Sequence, residues 1–404
     1  MTVKAREPGK TEEKHSAFEI IRKAADNYVS SGQPLYITAK DLCGSIVETG
    51  YMARLEMETY NPDFHQGPVI VDLRSPDSEM PELYYHGHIP SAVHIPWRKI
   101  TQLKMLTSLP HDRRIVVYSN TGQTGGQAAA ILSVMGYDAV NLRWGMTSWT
   151  GESRAAPERY DKERDIIWQN RSYRNTVTIE HKSDERYPLP VLHTNGNTPS
   201  AVVWSAADDY LGDYRPANIS AAALYDPLFE YFGSFAMSPY EEDGNDMLVI
   251  PFDYRPGENE EWFDWPYIID VRDKDSYMKG HIPGSPNIEW FNMFKNENLR
   301  KLPIDRQIVV CSETGHTSAH ITALLNLLGY EAVNLKWGMS GFLLALFQRI
   351  TSVVSALSGL AFQNTTGVPS FNDRVIHTIF FIIVAFEFFC ITVRDQRPAA
   401  HTPF

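Results

Sequence analysis

Short apolar runs bounded by polar residues recur along this chain. Two end on an aspartate and two precede a loop rich in Gly and Thr: Val69 to Asp72, Tyr267 to Asp270, Ile115 to Tyr118 and Ile308 to Cys311. Runs of this length are too short for helices and are typical of buried strands. A helical pattern follows the second pair, and a further short run follows that helix. Strands that alternate with helices predict an α/β fold, with helices on both faces of a parallel sheet.

The chain contains an internal repeat. Residues Ile115 to Met146 match Ile308 to Met339 at an offset of 193 residues, and Gly87-His88-Ile89-Pro90 matches Gly280-His281-Ile282-Pro283 at the same offset. An earlier match, Ala24 to Tyr28 with Ala206 to Tyr210, has an offset of 182, so the second copy has gained residues in between. Self-similarity at a fixed offset predicts two paralogous domains, which also suits a chain of 404 residues.

The repeat sets the domain boundaries. We place the first domain at 17–155 and the second at 198–342, each opened by a helix, at about 17–32 and 199–214. Residues 156–197 lack clear periodicity and are interpreted as a linker. The second domain carries an insertion at 231–266 with nine acidic residues between Glu241 and Asp264, either a solvated loop or a lid.

An apolar extension at 343–404 follows the second domain. Its segment 375–393 has nineteen residues and is apolar around the whole helix, which requires burial in protein or lipid. We expect an apolar helical tail that attaches the protein to a membrane through 342–393; docking onto the domains is the alternative. The polar first seventeen residues lack the apolar core of a signal peptide, so the expected location is cytoplasmic, at the cytoplasmic face of the membrane.

Charge and cysteine content narrow the class of partner. A net charge of −12 argues against a nucleic-acid partner. The three cysteines, Cys43, Cys311 and Cys390, are too few for a disulfide framework or a Cys-rich zinc site, and we interpret all three as packing residues. His316 and His320 are four residues apart, as metal ligands sometimes are, but no third ligand has suitable spacing. We therefore interpret them as surface or capping histidines and predict no metal and no cofactor.

Candidate chemistry lies in the loop between the second strand and the helix of each repeat. Backbone N–H groups and the helix dipole at such a position stabilise an anion or a thiolate. The expected ligand is a small anion, with an unidentified protein partner as the other possibility. The candidate residues are Ser119, Asn120, Thr121, Gly122, Gln123 and Thr124 in the first loop, and Ser312, Glu313, Thr314, Gly315, His316 and Thr317 in the second.

The order of motifs resembles the rhodanese family over about residues 34–150 and 217–342. Each copy has an Asp-x-Arg strand end, a Gly-His-Ile-Pro segment, the strand-loop-helix unit and a Trp-Gly-Met turn, at Trp144 to Met146 and Trp337 to Met339. The resemblance implies two rhodanese-like domains in tandem, and sulfane sulfur transfer through a cysteine persulfide at the first loop position. Ser119 and Ser312 stand at that position.

These serines predict lost activity. A hydroxyl is hardly ionised near neutrality, whereas a free thiol has a pKa near 8.5, and oxygen does not store sulfur as a persulfide. The loops contain no Arg or Lys, and Glu313 adds a negative charge. The sequence thus predicts a degenerate, non-catalytic binding or scaffolding module related to sulfur transfer. The alternative is an active sulfurtransferase that uses Cys311 or an unrecognised nucleophile, although strand alternation points Cys311 away from the loop.

Four further residues are expected to support the loops. Asp72 and Asp270 are predicted to order them through hydrogen bonds, and Arg74 and Arg272 to pair with acidic neighbours. His88 and His281 are interpreted as turn-positioning residues, with a role as catalytic bases left open. A serine hydrolase is disfavoured, because neither serine is flanked by the glycines of a nucleophile elbow.

Overall fold

The computed structural model describes residues 16–48, 67–74, 83–151, 154–156, 160–161, 166–167, 178–192, 198–213, 215–221, 224 and 266–343. The chain divides into two compact units, 1–348 and 349–404, and every described residue belongs to the first. The predicted insertion, except Pro266, and the predicted extension after Leu343 lie outside the described residues. No helix in the described ranges is long and apolar enough to cross a membrane.

Repeat 1 begins with a helix that Ser16 caps by accepting the backbone N–H of Glu19 at 3.3 Å. Its elements are α1 (Ala17–Ser30), β1 (Tyr36–Ile37), α2 (Ala39–Glu48), β2 (Val69–Asp72), α3 (Leu83–His86), β3 (Val93–His94), α4 (Leu103–Leu106), β4 (Ile115–Tyr118), α5 (Gln123–Val134), β5 (Ala139–Leu142) and α6 (Gly145–Trp149). Within the predicted linker, β6 (Tyr160–Asp161) and β7 (Ile166–Ile167) pair antiparallel.

Repeat 2 follows the same order, and Thr198 caps its first helix by accepting the N–H of Ala201 at 3.2 Å. Its elements are α7 (Pro199–Gly212), β8 (Asn218–Ile219), β9 (Tyr267–Asp270), α8 (Lys274–Lys279), α9 (Asn296–Leu299), β10 (Ile308–Cys311), α10 (His316–Leu327), β11 (Ala332–Leu335) and α11 (Gly338–Leu343). Each repeat also has a short 3-10 turn, Trp97–Lys99 and Trp290–Asn292.

The main sheet of each repeat is parallel. The described strands of repeat 1 are ordered β1-β5-β4-β2-β3, and those of repeat 2 are ordered β8-β11-β10-β9. Because side chains alternate along a strand, Val117 packs into one apolar cluster while Val116 and Tyr118 pack into another on the opposite face. Leu42 of α2 contributes to that second cluster. This confirms the predicted α/β fold with helices on both faces of each sheet.

One apolar core is shared by the two repeats. It contains Ile131 of α5 and Leu324 of α10, together with residues of α1 and α7, and all of them are buried. Each opening helix also reaches into the other repeat. Arg22 on α1 donates to the carbonyl of Phe294 at 3.1 Å, and Trp204 on α7 donates to the carbonyl of Thr101 at 2.9 Å. These are matching positions, so the repeats form a pair with approximate twofold equivalence.

Residues 178–192 of the predicted linker pack on repeat 2. His181 forms a parallel bridge with Pro286, and the N–H of Tyr187 donates to the carbonyl of Arg300 at 2.7 Å. Leu189 and Leu192 pack against the shared core. This segment adds apolar cover to the second domain.

Candidate functional site in the paired loops

The loop of repeat 2 closes around a buried serine. Ser312 is 3% exposed, and its Oγ accepts backbone N–H groups from Gly315 and Ser318, both at 3.1 Å. The Ser318 Oγ lies 2.9 Å from the Ser312 Oγ and donates to Asn334 Oδ1 at 2.6 Å. Gly315, which precedes α10, has a φ of +80°, a left-handed conformation that favours glycine. The serine hydroxyl thus accepts hydrogen bonds from backbone N–H groups at the start of the helix.

The loop of repeat 1 has the same path but fewer bonds. Ser119 is 7% exposed, and its Oγ accepts the N–H of Gly125 at 3.3 Å. Gly125 stands where repeat 2 has Ser318, so this loop has no second hydroxyl at that point. Asn141, the match of Asn334, donates through Nδ2 to the carbonyl of Gly122 at 2.9 Å, while its buried Oδ1 has no hydrogen-bond partner among the described residues.

A turn packs directly behind each loop. In repeat 1, the N–H groups of Met146 and Thr147 donate to the carbonyls of Ser119 and Asn120 at 2.9 and 3.0 Å. A Cβ on Gly145 would lie 2.0 Å from the Ser119 carbonyl oxygen, so only glycine allows this approach. In repeat 2, Met339 and Ser340 donate in the same way to Ser312 and Glu313, at 2.9 and 2.8 Å. The Trp-Gly-Met motif therefore shapes the loop backbone.

Buried Asp–Arg pairs lie beneath both loops. In repeat 1, Arg74 contacts Asp72 at 2.5 Å and donates to the carbonyls of Gly87 and Ala155 at 2.7 and 2.8 Å. The Tyr118 hydroxyl adds a 2.6 Å hydrogen bond to Asp72. Burial, reinforced by the nearby Asp72 charge, raises the pKa of Tyr118, so this hydroxyl remains a donor.

The matching pair in repeat 2 lacks that hydroxyl. Arg272 contacts Asp270 at 2.7 Å, donates to the carbonyl of Gly280 at 2.6 Å and approaches Glu313 at 3.3 Å. Burial alone would lower the pKa of Arg272, but its hydrogen bonds to Asp270 and the charge of that carboxylate outweigh burial and raise it. The Glu313 side chain is 60% exposed, so it lies at the outer end of this group.

The two cysteines in the described ranges differ in environment. Cys311 is buried in the apolar cluster on the face of β10 opposite the loop, and its Sγ lies 3.6 Å from the Ser312 carbonyl oxygen. Burial raises the pKa of its thiol well above the ordinary value. Cys43 lies on α2, as expected, but it is exposed, so its interpretation as a packing residue is wrong. Cys390 lies outside the described residues.

The expected surface location of His316 and His320 is also wrong. Both side chains are fully buried between α5 and α10, because these helices pack face to face across the repeats. Burial lowers the pKa of each to about 3, so both are neutral near pH 7. His320 Nδ1 lies 2.8 Å from the Tyr28 hydroxyl. Throughout the described ranges, no group of three or more His, Cys, Asp or Glu residues is arranged to hold a metal ion.

The other predicted residues separate into several environments. Thr121 is buried beside Ser119, whereas Asn120, Thr124, Thr314 and Thr317 are partly exposed. His88 stacks on Tyr84 in repeat 1 and is exposed. His281 stacks on Tyr277 in repeat 2 and is buried, and burial lowers its pKa. The Nδ1 of each histidine lies 3.0 Å from the carbonyl of the tyrosine on which it stacks, a contact that suits a turn-positioning role.

Several residues at the site were not predicted from the sequence. Tyr118 as a partner of Asp72, and Asn141 and Asn334 behind the loops, appear only once the sheet is assembled. The contact between the repeats had a detectable signal: polar residues at matching positions, Gln123 with His316, in helices that are apolar on most sides.

Comparison with known proteins gives one family match in each repeat and two relatives that are similar to part of the chain. A model of the rhodanese-like domain matches residues 56–152 and 256–345. The chain is similar to thiosulfate sulfurtransferase PspE of Escherichia coli (strain K12), with 37% identity over 71 residues, 17% of this chain and 67% of that protein. It is also similar to a sulfurtransferase of Allochromatium vinosum, with 37% identity over 93 residues, 22% of this chain and 80% of that protein.

The chain is also similar in part to solved structures. A rhodanese-like domain protein from Staphylococcus aureus is 26% identical, with 29% of this chain and 92% of that chain covered and a TM-score of 0.21. Thiosulfate sulfurtransferase from Pseudomonas aeruginosa is 16% identical, with 78% of this chain and 45% of that chain covered and a TM-score of 0.24.

Proposed function

The chain belongs to the rhodanese-like family, with one rhodanese-like domain in each repeat, and from this premise we propose that it is a non-catalytic binding module related to sulfur transfer. Its sulfurtransferase relatives support the general role. The proposal places Ser119 and Ser312 at the position of the family's sulfur-carrying cysteine.

One observation carries the proposal: the Ser312 hydroxyl accepts the N–H groups of Gly315 and Ser318 at 3.1 Å. In a sulfurtransferase such donors would stabilise a thiolate or persulfide. Here a neutral hydroxyl uses them, and its oxygen cannot carry sulfane sulfur. The charge of the mostly exposed Glu313 further disfavours an incoming anionic sulfur donor at this loop.

The environment of Cys311 supports the same conclusion. Cys311 is 1% exposed and the raised pKa of its thiol keeps that thiol protonated near pH 7, whereas the nucleophile in sulfur transfer is a thiolate. Reaching a donor would require Cys311 to leave the apolar cluster that contains Val309 and Leu335. An active enzyme based on Cys311 is therefore the less favoured alternative.

We expect repeat 1 to be the better place for a small anion. Its Ser119 hydroxyl accepts one N–H at 3.3 Å, where Ser312 accepts two at 3.1 Å, and a neutral Asn120 replaces Glu313. Donors at a helix start that are not engaged by the serine remain for a ligand. A protein partner that presents a carboxylate or phosphate would use the same donors.

The test is to restore a thiol in each loop. Wild-type protein should release no thiocyanate from thiosulfate and cyanide above the background of a Cys311→Val variant. In Ser119→Cys, the new thiolate should attack the sulfane sulfur of thiosulfate, form a persulfide and release sulfite. Mass spectrometry should then find one added sulfur on the loop peptide.

The outcomes separate the alternatives. Turnover by wild-type protein that Cys311→Val abolishes would establish an active enzyme. Wild-type turnover that survives this substitution would indicate another nucleophile and would equally overturn the proposal. If neither Ser119→Cys nor Ser312→Cys gains a persulfide, the loops have also lost the geometry for sulfur transfer, and the binding proposal must rest on ligand titration alone.

For the apolar extension, we propose attachment to a membrane through 342–393, on sequence evidence alone. Full-length protein should require detergent, whereas a truncated protein that ends near Gly341 should be soluble and folded. If the full-length chain is soluble without detergent and the truncated one aggregates, the extension packs on the domains instead.

A further inference from the structure

The loop of each repeat is contacted by the first helical residue of the other repeat. Gln123 begins α5 and His316 begins α10, and these positions match at the repeat offset of 193 residues. A Cβ on Gly122 would lie 3.0 Å from His316 Nε2, and a Cβ on Gly315 would lie 2.3 Å from Gln123 Oε1. Each polar side chain therefore reaches the glycine that closes the opposite loop.

In repeat 1, His316 holds the turn that supports the loop. Its Nε2 accepts the backbone N–H of Trp144 at 3.0 Å, and its ring packs edge-to-face on the Trp144 ring at 4.5 Å. Trp144 has a φ of +59°, a conformation that is unfavourable for a residue other than glycine. Two residues later, Met146 donates to the Ser119 carbonyl. His316 is thus connected to the loop through three consecutive turn residues.

In repeat 2, Gln123 is connected to the buried serine through side chains. Its Oε1 accepts from Asn334 Nδ2 at 2.8 Å, and its Nε2 donates to the Thr314 carbonyl at 3.4 Å. Asn334 in turn accepts from the Ser318 hydroxyl, which lies 2.9 Å from the Ser312 Oγ. A continuous chain of hydrogen bonds therefore runs from repeat 1 to Ser312 of repeat 2.

We propose that Gln123 and His316 are reciprocal positioning residues, each of which sets the loop conformation of the opposite repeat, so that the two loops act as one coupled unit. Both side chains are almost fully buried. Buried polar groups must keep their hydrogen bonds, so a displaced loop in one repeat forces a change in the contact that it makes with the other. Coupling of this kind acts through turn residues in repeat 1 and through side-chain hydrogen bonds in repeat 2, and it does not require a catalytic nucleophile.

A thiol placed in one loop can report on a substitution in the other repeat. In a Ser119→Cys background, the pH dependence of alkylation of the introduced thiol by iodoacetamide, measured on the loop peptide by mass spectrometry, gives the pKa of that thiol. His316→Ala should raise this pKa by about 0.5 to 1 unit, because a loosened loop no longer aims its N–H groups at the thiolate. His316→Gln, which carries an acceptor near the level of Nε2, should return the pKa of the thiol most of the way to its value in the Ser119→Cys background.

The matched control is His320→Ala. His320 lies one turn later on the same helix and is equally buried, but it contacts Tyr28 and not the loop of repeat 1. His320→Ala should leave the pKa of the thiol at position 119 unchanged even if this substitution lowers thermal stability. If both alanine variants shift the pKa equally, or if folded His316→Ala shifts nothing, the positioning role is wrong. Should His316→Ala fail to fold, His316→Asn, whose amide is too short to reach Trp144, replaces it.

The reciprocal experiment uses Ser312→Cys. Gln123→Ala should raise the pKa of the thiol at position 312 by a similar amount, and Gln127→Ala is the control, since Gln127 contacts Tyr210 and the Ala217 carbonyl instead. An effect in only one direction would overturn reciprocity. Neither measurement requires the natural ligand, so both remain decisive if the proposed binding role proves wrong.

Discussion

Ser119 and Ser312 stand at matching positions in the two repeats, yet their hydroxyls have different surroundings. The Ser312 Oγ accepts the backbone N–H of Ser318 and lies 2.9 Å from the Ser318 hydroxyl, whereas repeat 1 has Gly125 at that place and leaves the Asn141 Oδ1 without a partner among the described residues. The two loops follow the same path, and the exchange of Ser318 for Gly125 removes one hydroxyl from the loop of repeat 1. A loop backbone can thus be retained while its capacity for a ligand diverges between copies.

Substitutions in the buried Asp–Arg pairs should produce the largest difference in stability between the two repeats. Arg272→Ala should lower the free energy of unfolding by about 3–5 kcal/mol, because it leaves the Asp270 carboxylate buried without its partner. Arg74→Ala should cost about 1–2 kcal/mol less, since Asp72 keeps the Tyr118 hydroxyl. Urea denaturation followed by tryptophan fluorescence measures both. Adding Tyr118→Phe to Arg74→Ala should remove the difference; if it persists, Tyr118 is not its cause.

Acid should act mainly through His316 and His320 of repeat 2. Their folded-state pKa values of about 3 lie below the ordinary 6.5, so the unfolded chain binds more protons between these limits. Stability should therefore fall as pH drops from 6.5 towards 3, by about 2 kcal/mol per histidine at pH 5. The matching residues of repeat 1 are Gln123 and Gln127, so a double change of His316 and His320 to Gln should flatten this part of the stability curve. An unchanged acid dependence would assign it to other groups.

Ser318→Gly converts the repeat 2 loop towards that of repeat 1. It removes the donor to Asn334 Oδ1 and one partner of the Ser312 hydroxyl, and should cost about 1–2 kcal/mol of unfolding free energy. Thermal and urea unfolding measure the loss, with Ser340→Gly, at an exposed hydroxyl that bonds the Glu313 carbonyl, as the comparison. A neutral result for Ser318→Gly would mean that Asn334 finds another donor.

The smallest expected effect is at Glu313. Glu313→Asn, which installs the residue of repeat 1, should change the unfolding free energy by less than about 1 kcal/mol, because the Glu313 side chain is mostly exposed and Arg272 keeps its bonds to Asp270. The same variant should improve sulfate binding at the repeat 2 loop, measured by calorimetry. A large loss of stability would show that the ion pair with Arg272 is structural.

Much of the fold follows from local pattern. The strand runs ending at Asp72 and Asp270, the glycines at 122 and 315 and the opening helices were all predicted within a few residues of the observed elements. Strand alternation also gave the correct inward direction of Cys311. These features depend on spacing along a single segment, which a sequence displays directly.

Contacts between the repeats could not be predicted in the same way. His316 and His320 were interpreted as surface or capping residues because helix spacing alone does not show that α10 packs on α5. Cys43 was expected to be packed, but α2 turns that position outward. Burial of a helix on a second face is a tertiary property, and it overrides what periodicity suggests for isolated polar residues.

The helices that cross between the repeats also determine when each domain can complete its contacts during synthesis. The carbonyl of Thr101 bonds Trp204, and Gln127 bonds Tyr210, so repeat 1 depends on α7, which ends at Gly212. A ribosome that has completed repeat 1 must add roughly sixty further residues before that helix exists, about 3 to 12 s at usual synthesis rates. Repeat 2, by contrast, emerges when its crossing helix, α1, has already been made. The domain that is synthesised first can therefore complete its contacts only after α7, the opening helix of the second repeat, has been made.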